Sequence, residues 1–100
     1  MHSEFRLRVL LTAKKIPHGR VISYKQLASL AGYKNASRAI GGALAHNPCL
    51  IRIPCHRVVC SDGTLGGYKK GKAFKRKLLE REGIVFDKRG RIPKKFFARF

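Results

Sequence analysis

Apolar side chains recur at the spacing of an α-helix at the start of the chain. The positions are Phe5, Val9, Ala13 and Ile16. This periodicity predicts an amphipathic helix from Glu4 to Lys15, which Pro17 and Gly19 then end. Residues 20–22 are predicted to form a short strand or extended link.

A helix-turn-helix is predicted next. Ser23 lies three residues before Gln26, the spacing of a capping box that opens a helix, and Gly32 closes that helix. Its apolar face consists of Tyr24, Leu27, Ala28 and Ala31. A third helix runs to about His46, with an inward face of Ala36, Ile40, Ala43 and Leu44. Two short helices joined by a tight glycine turn are typical of a helix-turn-helix.

The chain after residue 49 predicts a small winged hairpin. Residues 50–54 and 57–60 are apolar or β-branched, and the sequence Ser-Asp-Gly at 61–63 is typical of a turn. The expected fold class is therefore mostly α with a small β-hairpin, a winged helix-turn-helix-like domain.

One more helix and a tail complete the predicted domain. Residues 72–82 predict a helix that Gly83 ends. Its expected inward face is Ala73, Phe74, Lys77 and Leu78. We expect a single domain over residues 1–86 and a basic aromatic tail over 87–100, which either docks on the core or follows a nucleic acid.

The net charge of the chain indicates what kind of partner the protein binds. The 100 residues include 23 Lys and Arg against five acids, a formal charge of +18 that is spread along the whole chain. Nucleic acid is the favoured partner, because phosphate neutralisation supplies most non-specific affinity. An anionic membrane surface and packing on ribosomal RNA remain open on composition alone. Without a long apolar run or a signal-peptide pattern, the chain is expected to be cytoplasmic, or associated with a nucleoid or nucleus.

A cysteine next to a histidine is the first candidate for chemistry. Cys55 and His56 follow Pro54 and precede Arg57, and cationic surroundings favour the nucleophilic thiolate. The alternative is that Cys55 is a small buried hydrophobe. Structural zinc is not expected, because His46, Cys49, Cys55, His56 and Cys60 lack the usual ligand spacing. We expect no metal and no cofactor.

Two acids and two glycines also need an explanation. Glu80 and Glu82 leave the last helix on different sides, so one of them can face His56, although surface positions are the alternative for both. Gly41 and Gly42 lie inside the third helix, at a cost of about 1 kcal/mol each relative to alanine. Close approach of a DNA strand would explain them, and tight helix packing is the alternative.

Taken together, these segments resemble the catalytic domain of the alkylguanine-DNA alkyltransferases, also called methylated-DNA protein-cysteine methyltransferases. The resemblance covers most of the chain and centres on the sequence Ile-Pro-Cys-His-Arg-Val at 53–58. The other matching segments are 16–24, 37–43, 47–48, 66–68, 78–79 and 82–83.

The resemblance implies a role for each of the central residues. Cys55 would accept the alkyl group, activated through a water by His56, which Glu82 orients. The helix-turn-helix would bind the minor groove of double-stranded DNA, and the damaged guanine would be flipped into a pocket beside the cysteine. Arg38 would fill the vacated stack and Tyr24 would help to rotate the nucleotide and bind the base.

The remaining site residues follow from the same resemblance. Asn47 would brace the turn before the active-site segment, and Tyr68 would line the alkyl pocket. We assign Ser37, Ala39, Gly41 and Gly42 to the DNA-binding face. Pro54, Val58 and Lys69 are assigned to the base pocket, where Lys69 replaces a small residue that other members have after the tyrosine.

The expected function is direct-reversal DNA repair by a monomer. The alkyl or methyl group on the oxygen at ring position 6 of guanine would move irreversibly to Cys55, once per molecule, and alkylated thymine is a further candidate substrate. One alternative is a lesion-binding alkyltransferase-like protein that does not transfer the group. Such proteins generally replace the acceptor cysteine with tryptophan, whereas this sequence has Cys55 and no Trp. The other alternative is a winged-helix DNA-binding regulator.

Overall fold

The computed structural model describes residues 4–47 and 51–99. Within these ranges the helices are α1 (Glu4–Ala13), α2 (Tyr24–Leu30), α3 (Ser37–Ala45) and α4 (Lys72–Arg81), and the strands are β1 (Ile22–Ser23) and β2 (Val58–Val59). Short 3₁₀ helices occupy Cys55–Arg57 and Lys94–Phe96. The four predicted helices and the mostly helical class are confirmed. No helix of the described ranges is long and apolar enough to cross a membrane.

The first three helices pack on one another and include the helix-turn-helix. Ser23 caps α2 as predicted, because its side-chain oxygen accepts a hydrogen bond of 3.0 Å from the backbone nitrogen of Gln26. The Gln26 amide instead donates to the carbonyl of Ala98 at 3.2 Å. The capping-box spacing therefore identified the start of the helix. The second hydrogen bond of a capping box, from the side chain of Gln26 back to Ser23, is replaced by the bond from Gln26 to Ala98 in the tail.

The small sheet has a different connectivity from the predicted hairpin. β1 and β2 are parallel, with Ile22 opposite Val58 and Ser23 opposite Val59. Val58 and Val59 are both fully buried, so both faces of β2 are covered. This is typical of a parallel pair inside a core, whereas a hairpin usually has one solvent-exposed face. The hairpin prediction was wrong in this respect, and Leu50 of its first strand lies outside the described residues.

Helix α4 buries a different face from the predicted one. Its buried residues are Lys75 and Leu79, whereas Leu78 is half-buried. Ala73, Phe74 and Lys77 are exposed. The prediction was one residue out of phase because it placed Phe74 and Leu78 inward, whereas Lys75 and Leu79 occupy the inward positions.

The segment after residue 86 packs on β1. Val21 donates to the carbonyl of Phe96 at 2.9 Å and accepts from the nitrogen of Ala98 at 2.8 Å, so the tail pairs with the chain just before the sheet. Ile92 and Ala98 are buried. The division of the chain after residue 86 stays a prediction.

Candidate active site

Cys55 lies at the end of a tight turn made by Pro54. The proline has φ −79° and ψ 63°, the geometry of an inverse γ-turn, and the nitrogen of Cys55 donates to the carbonyl of Ile53 at 2.7 Å. The buried amide of Asn47 donates to the same carbonyl at 2.8 Å and to the sulfur of Cys55 at 3.4 Å. Asn47 therefore braces the turn as predicted and also contacts the thiol.

A cavity of about 280 Å³ lies beside this thiol. Its lining residues are Tyr24, Gly41, Leu44, Ala45, Cys55, Gly67, Tyr68 and Lys69. Cys55 is only 5% exposed, but Gly41 and Lys69 are exposed, so the cavity reaches the surface beside α3. Cys55 therefore lines a pocket that reaches the surface.

His56 faces away from the solvent and is held by Glu82. It is 1% exposed, and its Nε2 lies 2.7 Å from Oε2 of Glu82, the residue that ends α4. Glu82 also accepts from the nitrogen of Gly19 at 3.0 Å and from Arg57 at 2.9 to 3.1 Å. Of the two candidate acids, Glu82 thus faces inward, whereas Glu80 lies on the surface near Arg76.

These contacts set the protonation states of the pair. Burial raises the pKa of Glu82, but hydrogen bonds from Arg57, His56 and Gly19 outweigh it and leave the pKa below its ordinary value. Burial lowers the pKa of His56 below 6.5, with the Glu82 hydrogen bond opposing it only in part. His56 is therefore neutral at pH 7 and Glu82 is ionised. The histidine proton then resides on Nε2, and the lone pair of Nδ1 is available.

Two tyrosines, Tyr24 and Tyr68, line the cavity. The hydroxyl of Tyr24 lies 3.5 Å from the carbonyl oxygen of Gly67. Burial, with the cysteines nearby, raises the pKa of Tyr24 to about 12, so the phenol keeps its proton at neutral pH. The hydroxyl of Tyr68 is buried and has no hydrogen-bond partner among the described residues. The Tyr68 hydroxyl can therefore donate to a ligand directly, and the Tyr24 hydroxyl can do so by exchanging its long bond to Gly67.

The first half of α3 is an exposed surface. Ser37, Arg38 and Ala39 are all exposed. A Cβ atom built on Gly41 or Gly42 would meet no atom within 4 Å, so nothing in the described chain packs closely on either glycine. Tight helix packing does not explain the two glycines.

Two residues assigned to the base pocket do not line it. Pro54 is buried behind the turn that presents Cys55, and Val58 is fully buried in β2 opposite Ile22. Both residues were assigned to the pocket because they lie close to Cys55 in sequence, whereas the fold buries them in the core. Tyr68 and Lys69 line the cavity, and their contact with a base stays a prediction.

Sequence reasoning also missed residues that support the site. Arg57 was noted only as a cation, yet it binds Glu82 and also donates to the carbonyl of Ile16 at 2.7 Å. Lys75 was not selected at all, although it is fully buried and its amine reaches the carbonyl oxygens of Val58 and Gly67. A lysine at an inward helical position was the available signal.

Within residues 4–47 and 51–99, no group of three or more His, Cys, Asp or Glu side chains could hold a metal ion. Cys49, one of the ligands weighed in the sequence, lies outside the described residues.

The fold and the site together define a helix-turn-helix domain with a thiol-containing pocket at its exposed helix. Residues 4–84 match the family model described as 6-O-methylguanine DNA methyltransferase, DNA binding domain, and the chain belongs to this family.

Individual relatives agree with this membership. The methylated-DNA–protein-cysteine methyltransferase of Candida glabrata is 59% identical over 70 residues, which cover 70% of this chain and 34% of the relative. The crystal structure of Mycobacterium tuberculosis OGT in complex with DNA has a TM-score of 0.80 and 43% identity, over 82% of this chain and 51% of that one. The chain thus spans about a third to a half of the length of the curated relatives it matches.

A further solved structure matches from end to end. S. pombe Atl1, in complex with damaged DNA containing O6-carboxymethylguanine, has a TM-score of 0.82 at 26% identity and covers 100% of both chains.

Proposed function

We propose that this protein repairs alkylated guanine in double-stranded DNA by moving the alkyl group to its own Cys55. The observation that carries the proposal is the position of the Cys55 sulfur in the wall of a surface-reaching cavity, next to the buried His56–Glu82 pair. Family membership supports the same reaction. Because the chain spans only part of its curated relatives, the activity, the substrate and the DNA partner are inferred for this chain from its own site.

The first step is removal of the thiol proton. Glu82 accepts the hydrogen of His56 Nε2, which leaves the Nδ1 lone pair as the base, and a bridging water passes the Cys55 proton to it. The imidazolium that forms is stabilised by the Glu82 carboxylate. Arg57 and Gly19 hold that carboxylate in place, so they act through Glu82 and do not touch the substrate.

The second step is displacement at the alkyl carbon. The thiolate sulfur forms a bond to that carbon, the bond between the carbon and the guanine oxygen breaks, and its electron pair stays with the base. The Tyr24 hydroxyl, which keeps its proton because its pKa is raised to about 12, donates a hydrogen bond to the departing guanine; the base takes a proton from solvent, and His56 returns the cysteine proton to solvent. The thioether product does not revert, so each molecule acts once and needs no cofactor.

DNA binding is assigned to the exposed surface of α3. The open backbone at Gly41 and Gly42 would let a strand approach the helix, and the exposed Arg38 in its first turn would enter the base stack. Flipping is needed because the alkylated atom is inaccessible to in-line attack inside the duplex, and extrusion costs a few kcal/mol. The charge of +18 supplies phosphate contacts that offset this cost. A monomer in the cytoplasm, or in a nucleoid or nucleus, remains our prediction.

Lesion binding without transfer is the second candidate. The end-to-end match with Atl1, seen with damaged DNA, favours it, because that structure covers the whole chain. Cys55 lines the pocket beside the hydrogen-bonded pair of His56 and the ionised Glu82, and this arrangement favours transfer. A winged-helix regulator would have no use for this arrangement of Cys55, His56 and Glu82.

Intact-mass measurement separates these functions. The protein is incubated with a duplex oligonucleotide that carries methylated guanine, and a gain of one methyl group on Cys55 is expected. Cys55→Ser should gain none, and Cys60→Ser, which removes the half-buried neighbouring thiol, should still gain one. Specific binding of the damaged duplex without any mass gain would establish the lesion-binding function, and equal binding of damaged and undamaged duplexes would indicate a regulator.

A further inference from the structure

The segment after residue 86 begins with a turn that is fixed to the core. The carboxylate of Asp87 accepts hydrogen bonds from the backbone nitrogens of Arg89 and Arg91 at 2.9 and 3.0 Å, which closes the turn. The nitrogen of Ile92 then donates to the carbonyl of Gly63 at 2.8 Å, in the loop that follows β2. The side chains of this turn are therefore presented from a defined backbone.

The second part of the segment is fixed by two phenylalanines and by its backbone pairing with Val21. Phe96 and Phe97 pack against the core cluster that contains Val21. The amide of Gln26, in the first turn of α2, donates to the carbonyl of Ala98 at 3.2 Å. The segment therefore reaches the start of the helix-turn-helix.

This segment carries positive charge that the described protein does not neutralise. Residues 88–99 include no Asp or Glu, and the carboxylate of Asp87 is engaged in the turn. The exposed cations are Lys88, Arg89, Lys94, Lys95 and Arg99. None of the ion pairs within residues 4–47 and 51–99 includes these five side chains. Like charges on a fixed backbone repel one another, so the segment favours a polyanionic ligand.

One of these cations is held over an aromatic ring. The Nζ of Lys95 lies 5.3 Å from the centroid of the half-buried Phe96 ring. Such a contact orients the ammonium group but leaves its three hydrogens available to an acceptor. Lys95 therefore loses less side-chain entropy on binding an anion than a freely rotating lysine does.

The five cations lie outside the surface of α3 that was assigned to DNA above. The buried residues of α3 belong to the core cluster that it shares with α1 and α2. Ile92 belongs to a second cluster, which includes no residue of α3 among those the structure describes. Only the far end of the segment, at Ala98, joins the first cluster. Residues 88–99 therefore form a surface of their own that adjoins the helix-turn-helix through α2.

We infer that residues 88–99 form a second DNA-binding surface, which contacts phosphates of the duplex beside the helix-turn-helix whether or not a lesion is present. This inference rests on the proposed DNA partner. Contacts of Lys and Arg with phosphates release counterions and carry no sequence information, so they add affinity for any duplex. They also allow a protein to slide along DNA, which lets α3 reach successive base pairs.

The test compares two double variants that remove the same charge from different surfaces. Lys94→Gln with Lys95→Gln alters the segment, and the matched control Lys14→Gln with Lys15→Gln alters two adjacent exposed lysines that follow α1. Fluorescence anisotropy measures the Kd for undamaged and methylated duplexes at several salt concentrations. All proteins carry Cys55→Ser, so that no alkyl group is transferred during the measurement.

In Lys94→Gln with Lys95→Gln we expect the affinity for both duplexes to fall by the same factor, about tenfold. The slope of log K against log salt should become shallower by about 1 to 2, because each lost phosphate contact removes about 0.9. The control should keep its slope and lose less than about twofold in affinity. Lys88→Gln with Arg89→Gln, on the turn, should cause a further loss that adds to the first in log K.

Unchanged affinity and slope in both variants of the segment would overturn the inference. An equal loss in the control would do the same, because it would reflect net charge alone, and so would a loss confined to the methylated duplex. Native mass spectrometry should find one duplex per protein, and a complex with two duplexes would overturn the assignment to a single duplex. Wild-type protein that binds duplex DNA but gains no methyl group on Cys55 would instead overturn the proposed transfer and leave this surface in place.

Discussion

The backbone of Gly66 lies directly against the ring of Tyr24. A Cβ atom on Gly66 would be 2.7 Å from the Tyr24 hydroxyl oxygen and 2.8 Å from a ring carbon. The glycine also has a φ of +70°, a conformation that residues with a side chain rarely adopt. Because Gly66 has no side chain, the cavity wall at this residue can lie in direct contact with the Tyr24 ring.

Gly66→Ala should consequently disturb the pocket more than the fold. We expect the free energy of unfolding to fall by about 1–3 kcal/mol from backbone strain, and methyl transfer to slow because Tyr24 is displaced. Urea denaturation and single-turnover kinetics measure the two effects. Gly67→Ala is the matched control, since a Cβ there meets no atom within 4 Å and its φ is not positive. Equal transfer rates in the two variants would contradict the contact.

Gly42→Ala should separate stability from DNA binding. The substitution lies inside α3 and faces open space, so alanine should stabilise the protein by about 1 kcal/mol through its higher helix propensity. The same methyl group should obstruct the approaching strand and weaken binding of duplex DNA by about tenfold. Reaction with free alkylated guanine should be unchanged. A variant that is more stable and binds DNA as tightly as wild type would show that no strand contacts this face.

Arg38→Ala should slow transfer from duplex DNA and leave the thiol reactive toward free alkylated guanine. The expected reason is that Arg38 enters the stack that the flipped base leaves. Arg38→Lys keeps the charge but lacks the planar guanidinium, so it should recover DNA affinity more fully than transfer. The measurements are single-turnover rates on duplex and free-base substrates. Equal loss on both substrates would remove Arg38 from base flipping.

Glu82→Gln should change the pH dependence of stability. The folded-state pKa of Glu82 lies below 4.5, so its contribution is fully present above that pH and is lost as the pH falls through the folded-state pKa. At pH 7 we expect the variant to lose about 3 kcal/mol, because a buried ion pair loses one partner, and to transfer alkyl groups more slowly. The difference from wild type should shrink in acid.

Urea denaturation between pH 3 and 7 provides the measurement. The control is Glu80→Gln, which removes an exposed acid from the same helix and should shift stability by less than about 0.5 kcal/mol at any pH. A loss in Glu82→Gln that is the same at every pH would contradict the assigned charge state.

Deleting residues 87–100 should destabilise the domain by removing its tail from β1. The deletion removes the buried Ile92 and Ala98 and two backbone hydrogen bonds to Val21. We expect a loss of about 3 kcal/mol or more, estimated from the burial of one large and one small apolar side chain and the unpaired backbone groups. Thermal unfolding measures the effect. Lys94→Gln with Lys95→Gln, which alters only exposed charges, should leave stability nearly unchanged and tests the contribution of the tail to DNA affinity separately.

Local features of the sequence were predicted well. Ser23 identified the start of α2 because a cap acts within three residues, whereas the turn at Pro54 lies in a segment that was predicted to be a strand. The sheet was mispredicted because β2 pairs with a strand more than thirty residues earlier, which a local pattern cannot specify. Lys75 was missed because a buried lysine reads as a surface residue in any hydrophobic periodicity.

The candidate site also divides into residues that local sequence identified and residues that only long-range contacts bring together. Cys55 and His56 are neighbours in sequence, so their juxtaposition was visible at once. Glu82 was selected only through the family resemblance, because periodicity alone could not distinguish it from Glu80. The partners that hold Glu82, Gly19 and Arg57, come from parts of the chain that only the folded structure brings together.

The Glu82 carboxylate links the candidate active site to the folding of the whole domain. Its hydrogen bond to Gly19 spans 63 residues, so it forms only after the end of α4 has returned to the loop behind α1. Contacts between residues so far apart in sequence slow folding, because the entropy of closing the loop is lost before the contact forms. On the proposed function, a growing or partly unfolded chain exposes Cys55 without the His56–Glu82 pair, and we expect the thiol to become reactive only once the whole domain has assembled.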